Sequence, residues 1–492
     1  MVTKPNLAKQ LLGAALGKDL NNTTQRGAGS GRPAGTPHFQ PWRGTDRQVA
    51  GLWPFAAGGS APLIGAPLGR SLTSPGTICA DPISWFQKGL ISAPNLAVLG
   101  LNGLGKSTLI RHMLVGQAAR GTHALVLGDI KPDYVDLVHA LGGQVIDIGH
   151  GKSRINPLDP GAAKEAATRL TGRPREAVLT AAHTRAVTIM STLIQIVRKD
   201  KVTDRETTIL DEALRILETR DQTPVLDDLL QLLRTPTPGL RDAALDRGDL
   251  TRYQTTIEPL EASIVALMRG RFGGIFSGHT SVQMKMDRSV VFDLSSLRDE
   301  PDDVQGAALL TCWSYGFASV EAWQVLADEG LTPRSQYQVV LDELWRVLRL
   351  GEGLVDKVDQ VTRLNRSIGV GLTILTHSMT DTQALANEAD RLKADGFIER
   401  SKLIMLGGLP RKEMDRLTRV VSMTEAEQSL LESWNAGATY DPTSGRQTRP
   451  PGQGKFLLKA GSDAGWPFEV QLTQPEIALS NTNARWNKEP TR

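Results

Sequence analysis

Gly100-Leu101-Asn102-Gly103-Leu104-Gly105-Lys106-Ser107 satisfies the pattern G-x-x-x-x-G-K-[ST] at every position. The flanks fit as well: Leu96–Leu99 is a short apolar run of strand size, and Ser107–Ala119 carries helical periodicity. That strand–loop–helix setting gives the pattern a physical meaning. Glycines let the backbone curl so that successive N–H groups face phosphate oxygens, and the helix N-terminus adds partial positive charge. Lys106 is expected to reach the β- and γ-phosphates, and the Ser107 hydroxyl to bind Mg²⁺. The expected nucleotide-binding residues are therefore Gly100, Leu101, Asn102, Gly103, Leu104, Gly105, Lys106, Ser107 and Thr108, with ATP and Mg²⁺ as cofactors.

Outward from this loop, strand and helix patterns alternate. Ala124–Leu127 reads as a strand, Tyr134–Leu141 as a helix and Val145–Ile148 as a strand. Such alternation predicts βαβ units and a mainly parallel sheet, an α/β fold. Residues 160–288 break the pattern and read as an all-helical insertion. Glu176–Arg198 has apolar residues at helical spacing, Thr203-Asp204-Arg205-Glu206 fits a capping box, and Thr223-Pro224 predicts a helix start running to Leu233. Alternation resumes with strands at Ser289–Leu294, Gln338–Leu341, Gly371–Leu375 and Lys402–Leu406 and helices at Asp303–Asp328 and Gly353–Ile368. Gly454–Lys459 and Glu469–Thr473 read as further strands.

Before the loop, residues 53–93 read as short strands with turns at Gly65, Pro67-Leu68-Gly69 and Pro75-Gly76. The organisation expected is a basic tail (1–50), a lead-in packing on the core (51–93), a first ATPase core segment with the phosphate loop (94–159), the helical insertion (160–288), a second core segment (289–480) and a tail (481–492).

Hydrolysis demands carboxylates beyond the loop. Val339-Val340-Leu341-Asp342-Glu343 supplies two acids at the end of an apolar strand. Asp342 is expected to hold the Mg²⁺ shell and Glu343 to orient or deprotonate the attacking water. Asp293, after Val290-Val291-Phe292, ranks second because no acid follows it. His377 closes the strand Gly371–Leu375 and is expected beside the γ-phosphate, since ligands sit at the carboxyl ends of parallel strands.

Composition narrows the class. The chain has 492 residues, a net charge of +3 and two cysteines, Cys79 and Cys312, with no CxxC spacing. The cysteines read as buried apolar residues in a reducing cytosol. Residues 1–50 hold seven Lys/Arg against two Asp/Glu, which leaves the remainder slightly acidic. The first 45 residues, rich in Gly, Pro, Thr and Asn, read as a solvated disordered tail with one short helix near Leu7–Leu16. Bulk charge therefore does not mark the body as a nucleic-acid binder, and direct nucleic-acid binding stays open. No run of 18 apolar residues and no signal-peptide pattern occur, so no transmembrane segment is expected and the place of action is read as cytoplasmic.

Several short elements, in shared order, resemble the cytoplasmic motor ATPases of conjugative type IV secretion systems, within the HerA/FtsK superfamily of hexameric RecA-like motors. They include Pro94-Asn95, Gly128-Asp129-Ile130-Lys131-Pro132-Asp133-Tyr134 and Leu141-Gly142-Gly143. Ile155-Asn156-Pro157-Leu158-Asp159, Asp342-Glu343-Leu344-Trp345 and Asn481-Thr482-Asn483-Ala484-Arg485-Trp486 complete the series. The resemblance spans Gly65 to Trp486 and implies a RecA-like P-loop core, ATP hydrolysis, a homo-hexamer and docking on membrane channel components at the inner face of the cell membrane. It also implies a DNA-coupling protein as a partner. Asp133 stands where this family usually has Glu, and His377 where many members have a sensor Gln. The segment before the phosphate loop is short for this family, which implies a separate membrane partner. Such motors place ATP between protomers, with a neighbour's arginine on the transferring phosphate. Arg391 and Arg400 are the first candidates, and Arg363 and Arg366 the alternatives.

Overall fold

The computed structural model describes residues 61–342, 344–350, 355, 358, 369–377, 388–438, 440–441 and 446–479. The tails 1–50 and 481–492, the expected helix near Leu7–Leu16, most of the expected helix Gly353–Ile368, and Glu343, Arg363 and Arg366 lie outside the described residues.

The strands are β1 (Pro67–Ser71), β2 (Thr77–Cys79), β3 (Asn95–Leu99), β4 (Thr122–Asp129), β5 (Gln144–Asp147), β6 (Val290–Asp293), β7 (Gln336–Leu341), β8 (Val370–Thr376), β9 (Leu403–Leu406), β10 (Tyr440–Asp441), β11 (Arg446–Gln447), β12 (Lys455–Lys459) and β13 (Trp466–Val470). Eleven of them form one sheet in the order β2-β1-β13-β12-β9-β3-β8-β7-β4-β6-β5; β10 and β11 pair separately. From β9 to β5 every pairing is parallel. From β9 to β2 every pairing is antiparallel. The molecule is thus α/β, with a RecA-like arrangement in which β8 lies between the loop-bearing β3 and β7.

Burial explains the strand sequences. Val339, Val340 and Leu341 of β7, like Leu96–Leu99 of β3, are almost wholly inaccessible, as expected for parallel strands covered on both faces. The helix Asp302–Asp328 covers one face and is buried on nearly all sides along Val304–Val320. Helices Ala163–Arg169, Gly172–Arg198, Asp204–Glu218, Leu226–Arg234, Pro238–Ala243, Leu250–Met268 and Gly270–Phe276 follow one another between β5 and β6. Thr203 and Glu206 form the capping box read from the sequence. Gly172–Arg198 is long and apolar enough to cross a membrane by length and composition. Here its residues Ile189–Ile194 are buried, and the helix packs on Asp302–Asp328.

Four expectations of secondary structure are corrected, and one of burial. Pro67-Leu68-Gly69 is not a turn but the start of β1. Proline is tolerated as a first strand residue, and a Cβ at Gly69 would lie 2.0 Å from the Glu469 carbonyl, so glycine permits the close β1–β13 approach. Within the expected strand region, Pro82–Gln87 is a helix, because the Asp81 side chain accepts the Ser84 N–H at 2.7 Å and Pro82 fits the first turn. The helix expected at Thr223-Pro224 begins at Leu226: the Asp228 carboxylate accepts the Val225 N–H at 2.9 Å, and the Pro224 carbonyl is taken by Asn156. The last strand is Trp466–Val470 rather than Glu469–Thr473, since its register pairs Trp466 with Leu458. Cys312 is buried, as read, but Cys79 is only partly so.

Asp81 also ties the lead-in to the core. It accepts the Ala66 N–H at 2.9 Å and the Gln117 amide at 3.3 Å, and Gln117 in turn donates to Gln338 of β7.

Candidate functional site

The phosphate loop joins β3 to the helix Lys106–Ala118. Gly103 and Gly105 have φ of +80° and +98°, a region in which a side chain is strained, and open space lies around Gly103. The loop is clamped from outside by segments that sequence reasoning missed. The Leu101 N–H donates to the Gly408 carbonyl at 3.2 Å, and the Gly454 N–H donates to the Leu104 carbonyl at 2.9 Å. A Cβ at Gly100 would lie 3.1 Å from Gly407. Paired glycines at Gly407-Gly408 were the available signal, but only the β3–β9 pairing gives it meaning.

Lys106 is buried and folds back over its own loop. Its Nζ donates to the carbonyls of Gly100 at 2.6 Å and Leu101 at 3.2 Å, and lies 2.9 Å from His377 Nδ1. An ammonium only donates, so Nδ1 accepts and the ring proton belongs on Nε2. The two residues are 271 positions apart, and the parallel β3–β8 pairing brings them together. Ser107 and Thr108 stand in the first turn of the helix, Thr108 accepting from Arg111 at 3.3 Å.

Asp342 follows β7 on the same edge, two strands from the loop. The Tyr134 hydroxyl donates to its Oδ2 at 3.5 Å. Asp129, the last residue of β4, accepts the N–H groups of Tyr134 at 2.7 Å and Asp133 at 3.1 Å. Burial pushes its carboxyl up to about 7, against the lowering effect of those two bonds. Asp293 ends β6 opposite Asp129 and accepts the Ser295 N–H, two strands farther from the loop than Asp342. Glu343 lies outside the described residues.

Trp345, after the acids, has ring contact with His377 at 6.2 Å between centroids and carries the guanidiniums of Arg346 and Arg349 at 5.0 and 4.6 Å. The candidate arginines separate. Arg391 lies in the first turn of Glu388–Arg400, whereas Arg400 ends that helix just before β9. Because β9 runs parallel to β3, with Leu403 beside Leu96, Arg400 lies toward the edge opposite the phosphate loop.

The donors fit a hard cation. Among the described residues no three or more His, Cys, Asp or Glu form a closed metal cage. A hydroxyl at Ser107 and a carboxylate at Asp342, on the same sheet edge as the loop, suit Mg²⁺, which takes one or two protein oxygens and completes its shell with phosphates and water.

No family model and no curated protein matches the chain. Among solved structures, VirB4 of Thermoanaerobacter pseudethanolicus aligns over 85% of this chain and 99% of its own, at 18% identity and a TM-score of 0.63. The plasmid coupling protein TrwB, solved with a non-hydrolysable GTP analogue, aligns over 77% of this chain and 86% of its own, at 13% identity and a TM-score of 0.45, too loose to carry a conclusion. With its loop and strand order in place, the chain has the fold of the VirB4 structure, a P-loop α/β fold.

Proposed function

We propose that the chain is an ATPase, a homo-hexameric cytoplasmic motor that energises a conjugative type IV secretion apparatus at the inner face of the cell membrane. The observation that carries the ATPase reading is the meeting of Lys106 and His377 at one sheet edge with Asp342 two strands away. The fold likeness to VirB4 supports the secretion role.

Lys106 leaves its loop carbonyls for the β/γ-phosphate oxygens, a charge-assisted exchange. Backbone N–H groups of Gly103–Ser107 cradle the phosphates. Ser107 and Asp342 would hold Mg²⁺, whose charge would offset that developing on the phosphates. Glu343 accepts the proton of the attacking water. His377, with its proton on Nε2, offers one donor toward the γ-phosphate or that water. Of the two candidates within the described residues, Arg391 is the one assigned to a neighbouring protomer's nucleotide, because Arg400 lies toward the edge opposite the loop. Membrane channel components and a DNA-coupling protein complete the assembly.

The test is ATP turnover by the purified chain, with and without single-stranded or duplex DNA. Absence of turnover under any condition rejects the ATPase reading and leaves a nucleotide-binding scaffold. Strong stimulation by DNA replaces the secretion motor with a DNA translocase or coupling protein.

A further inference from the structure

Tyr134 is wholly buried, yet its hydroxyl reaches Asp342, 208 positions away. The turn that carries it is fixed from two sides. Asp129 holds the Tyr134 and Asp133 N–H groups, and the Arg111 Nη1 donates to the Asp133 carbonyl at 3.1 Å. Arg111 is buried and belongs to the phosphate-loop helix, where its Nη2 also donates to Thr108 at 3.3 Å. One run of bonds therefore passes from the first turn after the phosphate loop, through Arg111 and the turn after β4, to the Asp342 carboxylate. None of these contacts is needed to close the sheet, whose β4–β7 ladder ends at Val126 and Val340.

We propose that Tyr134 is a positioning residue for Asp342: its hydroxyl orients the carboxylate that faces Mg²⁺, and Arg111 holds the Tyr134 turn in register with the phosphate loop. This rests on the ATPase reading above. A group that hydrogen-bonds a metal-facing carboxylate fixes the direction of its free lone pairs, and losing such a partner typically weakens metal binding by roughly 10–100-fold.

The experiment reads binding, not turnover. A fluorescent non-hydrolysable ATP analogue is titrated against wild type, Tyr134→Phe and Arg111→Lys, in EDTA and across a MgCl₂ series. Tyr134→Phe is expected to bind the analogue normally in EDTA and to need about tenfold more Mg²⁺ for half-maximal enhancement. Arg111→Lys, which keeps the charge and loses the fork, is expected to move the same midpoint by a smaller factor. A Mg²⁺ midpoint unchanged in both variants overturns the proposal. If Tyr134→Phe does not fold, by its thermal melt, an unchanged midpoint in Arg111→Lys alone overturns it. Failure of the wild type to bind the analogue in any condition rejects the ATPase reading itself, and the positioning role with it.

Discussion

The phosphate loop and the acidic side of the site share one edge of the sheet and are built differently. From Gly100 to Ser107 the loop takes its curl from contiguous residues, with positive φ at Gly103 and Gly105, and distant segments only clamp it at Leu101 and Leu104. The acidic side joins Asp129, Tyr134 and Asp342 from β4, the turn after it and β7, and borders His377 from β8. A local element can be recognised from its residues and broken by one of them. An assembled element depends on strand order, and its members depend on one another. In the proposed ATPase, the same contrast separates capture of a nucleotide from the chemistry done on it.

The sharpest way to break this comparison is Lys106→Ala. It removes the main cation facing the β/γ-phosphates, and nucleotide binding and turnover are expected to vanish. Affinity within a few-fold of wild type in a nucleotide titration overturns the loop's assigned role.

Glu343→Gln tests the other side alone. The amide accepts no proton from water, so turnover is expected to fall by roughly 10²–10⁴-fold while binding persists. Single-turnover assays beside binding titrations separate the two effects, and turnover above roughly a tenth of wild type removes Glu343 as the base.

In the proposed hexamer, Arg391 extends the acidic side across a subunit boundary. Arg391→Ala and Lys106→Ala subunits, each inactive alone, are expected to recover some of the wild-type ATPase rate when mixed, because one kind of mixed interface holds both groups. Arg400→Ala is expected to give no such complementation, given its place near the opposite edge. Rescue by Arg400→Ala mixtures instead of Arg391→Ala mixtures reverses that assignment.

The smallest effect concerns the buried acid. Burial raises the Asp129 carboxyl to about 7, above the roughly 3.9 of an unfolded aspartate. Between those values the folded chain binds more protons than the unfolded one, so this group favours folding at low pH and loses that contribution as pH rises through 7. Asp129→Asn does not titrate. The melting temperature of wild type, measured against the variant, is expected to decline from pH 5 to pH 8. A constant gap across that range means that Asp129 does not titrate there.

Much of the architecture is legible because its signals are short-range. β3, β4, β6, β7 and β8 follow apolar runs that must be covered on both faces, and the Thr203–Glu206 box announces its helix within four residues. Misreadings came where local signals point two ways. Pro67 and Gly69 are turn residues by type, yet they serve β1 because the Glu469 backbone passes too close for a side chain. Residues 53–93 predict short strands, whereas Asp81 caps a helix at Pro82–Gln87 and anchors the lead-in through Gln117. Pro224 lost the helix start to the Asp228 carboxylate.

The sequence by itself determined the strand–loop–helix setting of the phosphate loop, the end of β7 just before Asp342 and the α/β alternation, because each is written in neighbouring residues whose conformational preferences and hydrophobic periods act locally. Only the tertiary structure decided that β8 lies between β3 and β7, that His377 meets Lys106, that Gly408 and Gly454 clamp the loop, and that Tyr134 faces Asp342. Those pairings follow from strand order and crossover paths. The order is set by the summed burial of whole faces, a property of the folded chain that no single stretch of residues carries.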